Sequence, residues 1–354
     1  MESNNLQLDY EYLESLLQTV GVSGYESQVC KSYLSYVSAY VNECDIDVMG
    51  NGIAIIQGES NGKKILIEAH ADEIGFQVLH IGETGFLYVR RNGGVDEQCL
   101  PGSKVVVQTR TGELIPGVIG KKPIHLMSTD DRKRTIEIHQ VWVDTGLEID
   151  EIKEKISIGD PVAFAPSFTY LGKYKISGKS LDNKIGVFIV AQVLKSIDKL
   201  KIKDTIGGVA TAQEEVGSRG AVTIAYHFNP EIAITIDVDF STDVPDCTPS
   251  RYGSIKLGAG VIIPYNADVC PQLSCVMQSL AKEKDIPFQI SARPHATGGT
   301  NTSRIQLTQS GIRTISLGIP CRYMHTPVEI CDLRDVEAAV RLIVEYLKRR
   351  YGTK

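Results

Sequence analysis

The sequence has no excess of basic residues and no long apolar segment. Its 37 Lys and Arg stand against 43 Asp and Glu, which gives a net charge of −6, and the basic residues are scattered. We expect no nucleic-acid partner, because proteins that bind nucleic acid carry a basic patch or stripe. No apolar run approaches the roughly 18 residues of a membrane-spanning helix, so we expect no membrane association.

Export signals and cysteine motifs are also missing. The first residues, MESNNLQLDYEYLESLL, lack the basic segment, apolar core and cleavage site of a secretory signal, which predicts a cytoplasmic protein. The eight cysteines show no CxxC spacing. This favours reduced thiols over a disulfide framework and argues against a thiolate zinc site.

The pattern of apolar and polar residues changes twice along the 354 residues of the chain. Before residue 75 and after residue 166, apolar strand-like runs alternate with segments of helical period, which predicts an α/β fold. Between them lie short β-branched runs punctuated by Gly and Pro, such as FLYVRR, KVVVQTR, LIPGVIG and TIEIHQVWVDTG. We predict a mixed central sheet covered by helices on both faces (1–74 and 167–354) and a small inserted β-barrel (75–166).

Polar residues follow several of the predicted apolar strands. They are His70, Asp72, Glu214, Glu215, Asp237, Asp239 and His325, and Asp182 begins a helix after a glycine-rich approach. The carboxyl ends of parallel strands share one edge of a sheet, so these residues can converge. Histidine and carboxylate ligands without cysteine suit zinc, manganese or cobalt, and two ions that share a carboxylate account for so many ligands.

Each of these residues also has an ordinary structural explanation. An aspartate that opens a helix, such as Asp182, is commonly an N-cap, and the pair Glu214 and Glu215 would suit a solvated strand end. Both explanations weaken because all these residues fall at strand ends of one alternating region. Three further histidines receive no role: His80, His139 and His227.

The chain resembles the glutamyl aminopeptidase and tetrahedral aminopeptidase family of di-metal peptidases, which is metallopeptidase family 42 of clan MH. The matching motifs occur in order over nearly the whole sequence: GVSGYE, HADEIGF, PGVIGKKPIHLM, SLDNKIG, QEEVGSRGA, the ID of AITIDVD, GGTN and RYMHTPVEICDLRDVE. The resemblance implies a di-zinc exopeptidase-like fold with a PDZ-like barrel that mediates oligomerisation.

The resemblance implies a role for each site residue. Asp182 would bridge two divalent ions, zinc or cobalt with manganese as an alternative. The full ligand set would be His70, Asp182, Glu215, Asp237 and His325. Asp72 would support His70, Glu214 would be the general base, and a cis peptide would follow Asp182. A hydroxide that bridges the ions would attack the peptide bond of an N-terminal residue in a short peptide.

Two departures from the family pattern concern the substrate side. Ala71 replaces a common methionine, and Asn301 replaces the aspartate of the usual GTDA-like stretch. If Asn301 faces the substrate, the lost charge alters specificity. His125, in IHLM, would lie near a neighbouring subunit's site, since the family forms tetrahedral dodecamers.

Three alternatives remain open from the sequence. They are a related di-metal carboxypeptidase or deacylase, an endoglucanase, and a catalytically silent assembly protein of the same fold. An endoglucanase needs a free pair of carboxylates, whereas these carboxylates serve as predicted ligands. The side-chain preference of the substrate pocket and the native metal are not set by the sequence.

Overall fold

The structure, a computed structural model, describes residues 7–59, 61–198, 200, 202–292 and 299–351. Its strands are β1 (Glu43–Ile46), β2 (Gly52–Ile56), β3 (Lys64–His70), β4 (Gly75–Ile81), β5 (Leu87–Asn92), β6 (Lys104–Gln108), β7 (Leu114–Lys121), β8 (Val141–Asp144), β9 (Pro161–Phe164), β10 (Phe168–Leu171), β11 (Lys175–Gly178), β12 (Thr205–Thr211), β13 (Ile232–Phe240), β14 (Val261–Pro264), β15 (Phe288–Ser291), β16 (Arg313–Cys321) and β17 (Glu329–Asp332). The helices are α1 (Tyr10–Gln18), α2 (Ser27–Val37), α3 (Ile149–Lys155), α4 (Leu181–Ile197), α5 (Arg219–Phe228), α6 (Pro249–Tyr252), α7 (Pro271–Glu283), α8 (Asn301–Ile305) and α9 (Leu333–Tyr351).

A mixed sheet forms the centre of the molecule, in the order β1-β2-β12-β3-β13-β16-β14-β15. Strands β12, β3, β13 and β16 are mutually parallel, and their carboxyl ends lie at one edge. These strands are almost fully buried, as expected where helices cover both faces of a parallel sheet. The predicted fold class is confirmed.

Helix α4 lies at the centre of the larger apolar core. It is buried along nearly its whole length and packs on β3 and β13, and α9 packs against it. Residues 185–194 are apolar apart from Gln192, which explains the position of the helix, because a helix without a broad polar face requires cover on all sides. A smaller core on the opposite face joins α5 to the sheet through residues such as Leu66, Val209 and Ile224.

The second unit is a closed barrel of six strands, in the order β4-β5-β8-β7-β6-β9. Its interior is a separate apolar core that includes Phe76 and Phe164, whose rings meet edge to face at 5.5 Å. The barrel strands begin at Gly75, five residues after β3 ends at His70. The barrel is therefore inserted into the chain shortly after His70, the first predicted site residue.

Two local predictions inside the barrel are wrong. The TIEI part of TIEIHQVWVDTG forms no strand: Ile138–Gln140 is a turn of 3-10 helix, and β8 starts only at Val141. A helix, α3, also occurs where the sequence shows no recognisable helical period. Its N-terminus is capped by a capping box between Glu148 and Glu151. In the described residues, no helix is long and apolar enough to cross a membrane.

Candidate metal centre

Asp182 joins two groups of ligand-type side chains. Its Oδ1 lies 3.1 Å from His70 Nε2, which is also 3.5 Å from Asp237 Oδ1. Its Oδ2 lies 3.3 Å from His325 Nε2, which is 3.6 Å from Glu215 Oε1. The predicted ligands thus come together as two triads that share one carboxylate.

The backbone around Asp182 explains how it reaches both groups. Asp182 and Asn183 have non-helical backbone angles, and the peptide bond between them is cis, as the resemblance implies. Asn183 takes the capping role instead: its Oδ1 accepts from the N–H of Gly186 at 3.1 Å, and its Nδ2 donates to the carbonyl of Ile236. The Asp182 carboxylate, which an N-cap would have used, is left to face the cleft.

Glu214 and Glu215 lie in a loop rather than at a strand end, because β12 stops at Thr211. The carboxylate of Asp72 holds this loop, accepting from the main-chain N–H groups of Glu214 at 2.9 Å and Glu215 at 3.1 Å. Ser23 donates to the same carboxylate at 2.6 Å. The divergence of the two glutamates is therefore set by loop geometry, not by the alternation of a strand.

Further contacts fix the two ends of this loop. Glu26 accepts from the N–H of Gln213, whose φ of 59° is left-handed, and Asn51 Oδ1 accepts from the N–H of Ala212. The loop then closes tightly at Gly220, where a Cβ would lie 2.2 Å from Asn51 Oδ1. Only glycine fits that approach.

His70 is oriented by Asp72, although mainly through the main chain. Its Nδ1 lies 3.0 Å from the carbonyl oxygen of Asp72 and 3.5 Å from the nearer carboxylate oxygen. A hydrogen bond from Nδ1 to this carbonyl leaves Nε2 to face Asp182. Asp72 thus supports both the histidine and the glutamate loop.

His325 is held by two residues that the sequence interpretation did not single out. Its Nδ1 lies 2.7 Å from the carbonyl of Gly94, just after barrel strand β5, and its N–H donates to Glu329 at 2.9 Å. The other oxygen of the buried Glu329 accepts from the N–H of Asp182. Glu329 lies within the family-like motif RYMHTPVE, so the motif could have identified it as a candidate site residue.

The crowded carboxyl groups of the cluster have strongly shifted pKa values. Burial raises the pKa of Glu215 to about 8, with the Asp182 charge adding to the effect. Burial also raises the pKa of Glu214 well above its usual range, reinforced by Asp237. For Asp182, hydrogen bonds from His325 and His70 outweigh burial and lower its pKa. Carboxylates packed this closely form a favourable site for a cation, which would offset their mutual repulsion.

The donor set fits divalent metal ions. Each triad offers imidazole nitrogen and carboxylate oxygen with ligand atoms within 4.8 Å of one another, and none uses a thiolate. This composition suits zinc, cobalt or manganese, and the supports from Asp72, Gly94 and Glu329 are those expected around metal-bound side chains.

Neither predicted substrate contact is among the residues that line the cleft of its own chain, and the position of His125 near a neighbouring subunit's site stays a prediction. His125 is exposed, in a 3-10 turn of the barrel, and is not among the residues that line the cleft. Asn301 is buried and donates to Glu68 at 2.8 Å and to Thr211 at 2.9 Å, so its side chain is used inside the protein. Asp239 does line the cleft, beside the ligands.

A sequence profile described as M42 glutamyl aminopeptidase matches residues 50–342. The chain belongs to this family. The lysyl aminopeptidase of Pyrococcus furiosus is 32% identical over 350 residues, which cover 96% of this chain and 98% of the relative. The predicted family and the aminopeptidase class of enzyme are confirmed.

Two solved structures share the architecture of this chain. The aminopeptidase APDkam598 of Desulfurococcus kamchatkensis superposes with a TM-score of 0.90 at 34% identity, covering 96% of this chain and 94% of its own. The TET1 peptidase of Pyrococcus horikoshii, described as assembling into a tetrahedron or a large octahedral shell, has a TM-score of 0.85 at 30% identity. That match covers 96% of this chain and 98% of the TET1 chain.

Proposed function

We propose that the protein is a di-metal aminopeptidase that removes N-terminal residues from short peptides. The observation that carries this proposal is the Asp182 carboxylate, with one oxygen toward His70 and the other toward His325. A shared carboxylate between two imidazole and carboxylate groups is the arrangement that two neighbouring divalent ions require.

The ligands divide between two positions. His70 and Asp237 would hold one ion, Glu215 and His325 the other, and Asp182 both. Zinc or cobalt fits this set, with manganese as an alternative. Such ions, when bound, acidify water and polarise the scissile carbonyl.

Glu214 is the proposed general base. It lines the cleft beside the ligands, and Asp72 fixes its main chain. Its carboxylate would take the proton of the attacking water and return it to the leaving amine. Its conformation depends on the loop contacts, so the base and the ligand Glu215 are positioned together.

The decisive variant is Glu214→Gln, which keeps the shape and removes the base. We expect it to retain both metal ions and to lose about 10²- to 10⁴-fold in kcat. Glu113→Gln, at an exposed barrel glutamate that pairs with Lys155, is the matched control and should stay active. Full activity in the Glu214 variant would refute the assignment.

Substrates with a free or an acetylated amino group distinguish between the rival activities. Amino-acid amides and nitroanilides with a free amine should be cleaved, and their N-acetylated forms should not. Cleavage of only the blocked compounds would refute the aminopeptidase and favour a deacylase. A carboxypeptidase requires a free C-terminal carboxylate and would cleave none of these amides or nitroanilides. Activity that survives chelation would favour the endoglucanase alternative, and inactivity with metal bound would favour a silent assembly protein.

We also propose the division of labour between the two units. Residues 1–74 and 167–354 would form the catalytic domain, and residues 75–166 an oligomerisation domain. Exposed apolar side chains on the barrel, such as Val118, Ile124 and Leu126, support an interface there. By analogy with the TET1 peptidase we expect a tetrahedral dodecamer, which analytical ultracentrifugation would test; a 38.8 kDa monomer would contradict it.

A further inference from the structure

One permanently charged cation lines the cleft among the described residues. Carboxylates dominate the lining: Asp182, Glu214, Glu215, Asp237 and Asp239. Arg304 is the exception, and it enters from α8 together with Ser303 and the preceding Gly299 and Thr300. The side of the cleft formed by α8 and the two residues before it supplies none of the proposed metal ligands.

Arg304 is exposed, and no described carboxylate forms an ion pair with it. The short helix that carries it is nonetheless anchored, because the neighbouring Asn301 is buried and bonded to Glu68 and Thr211. Arg304 also lines a neighbouring surface cavity beside Tyr226 and Leu307, so it lies at the border between that cavity and the cleft. From there its planar, bidentate donor can bind a group that enters the cleft.

We propose that Arg304 is a specificity-determining residue that recognises a carboxylate of the substrate. This inference rests on the proposed aminopeptidase function. The names of the family profile and of the Pyrococcus relative specify different residues, glutamyl and lysyl, so family membership does not set this preference. An acidic group would otherwise enter a cleft lined by carboxylates, and Arg304 supplies the opposite charge.

The carboxylate has two sources, the first side chain of the peptide or its C-terminus. Glutamyl and glutaminyl nitroanilides differ by one charge at nearly constant shape and probe the side chain. Leu-Gly-Gly and its C-terminal amide probe the terminus. A hydrogen bond to a charged group contributes about 1.5 to 3 kcal/mol, so we expect kcat/KM to favour the charged member about 10- to 100-fold in one pair.

Variants at Arg304 test whether the arginine side chain causes the preference for the charged substrate. Arg304→Ala should bring the ratio of the favoured pair close to one, mainly through KM, while turnover of leucyl nitroanilide stays near the unaltered level. Arg304→Glu should favour lysyl over glutamyl nitroanilide. Arg313→Ala, at the start of β16 and outside the cleft lining, is the control and should keep the original ratio.

The outcomes separate this inference from the proposed function. Normal leucyl turnover with both ratios near one, or a ratio unchanged in Arg304→Ala, would overturn the role of Arg304 and leave the aminopeptidase function intact. If the metal-loaded enzyme cleaves no peptide or nitroanilide with a free amine, the proposed function fails and this inference fails with it.

Discussion

Asn301 donates a hydrogen bond to Glu68 in the buried layer beneath the cleft, at 2.8 Å from Nδ2 to Oε2. Asn301 replaces the aspartate of the family's usual motif, and the structure gives a physical reason for an amide here. Glu68 is fully buried, and an aspartate in contact with it would place two carboxyl groups together. Above the pKa of Glu68, about 7, these would be two acceptors without a donor.

Asn301→Asp should therefore destabilise the protein. Above pH 7 we expect a loss of about 1 to 3 kcal/mol in the free energy of unfolding, because a buried bond is replaced by two facing acceptors. Thermal and urea denaturation would measure it. The double variant Glu68→Gln with Asn301→Asp restores a donor and should recover part of the loss; additive losses would contradict the pairing.

Glu68 should also make stability depend on pH. Burial raises its pKa to about 7, above the ordinary value of 4.5, so the folded state holds a proton that the unfolded state has released. The stabilisation is complete below about pH 4.5 and is lost as the pH rises through about 7, a change of about 3 kcal/mol. Urea denaturation should show a smaller decline for Glu68→Gln across this window; equal slopes would refute the shift.

The parts of the site that the sequence predicted are those carried by regular strands. His70 ends β3, and Asp237 lies on the adjacent parallel strand β13, so strand order alone places them at one edge. Asp182 also reaches the predicted site, but through its own non-helical backbone. The motif resemblance supplied its role where local patterning favoured an N-cap.

The parts that the sequence did not predict depend on contacts between distant segments. The loop of Glu214 is shaped by Asp72 and Glu26, which are 142 and 187 residues from the main-chain groups they bind. Local periodicity carries no information on such pairs. The same limit applies to Gly94, a barrel residue that binds His325 across 231 positions.

Asp72→Asn tests the support of the glutamate loop. An amide offers one oxygen where the carboxylate now accepts from Glu214 and Glu215, and its NH₂ group would oppose the other N–H. We expect about a 10- to 100-fold lower kcat/KM with stable folding. Ser23→Ala removes only one bond to the same carboxylate and should cost less. Equal losses in the two variants would place the defect elsewhere.

Glu329→Ala tests the support of His325 and Asp182, whose main-chain N–H groups both donate to this carboxylate. Removing this carboxylate frees the backbone of two proposed metal ligands at once. We expect metal affinity about 10- to 100-fold weaker, measured by competition with a chromophoric chelator. Glu329→Gln keeps one acceptor, so its metal affinity should lie between those of the unaltered protein and the alanine variant. Unchanged affinity in the alanine variant would show that the ligands are held by other contacts.

Gly94→Ala tests whether the barrel orients His325, a proposed metal ligand. A Cβ at this position would lie 2.9 Å from His325 Nδ1, so the imidazole or the barrel loop must shift. The shift should weaken binding at the His325 position while the His70 position keeps its ion, which lowers metal content toward one ion per chain. Gly102→Ala is the control for a second barrel glycine; a Cβ there meets no described atom within 4 Å, although its φ of +90° also strains a side chain. Loss of metal in Gly102→Ala as well would indicate a general disturbance of the barrel, whereas loss confined to Gly94→Ala would show that the barrel segment at Gly94 sets the position of His325.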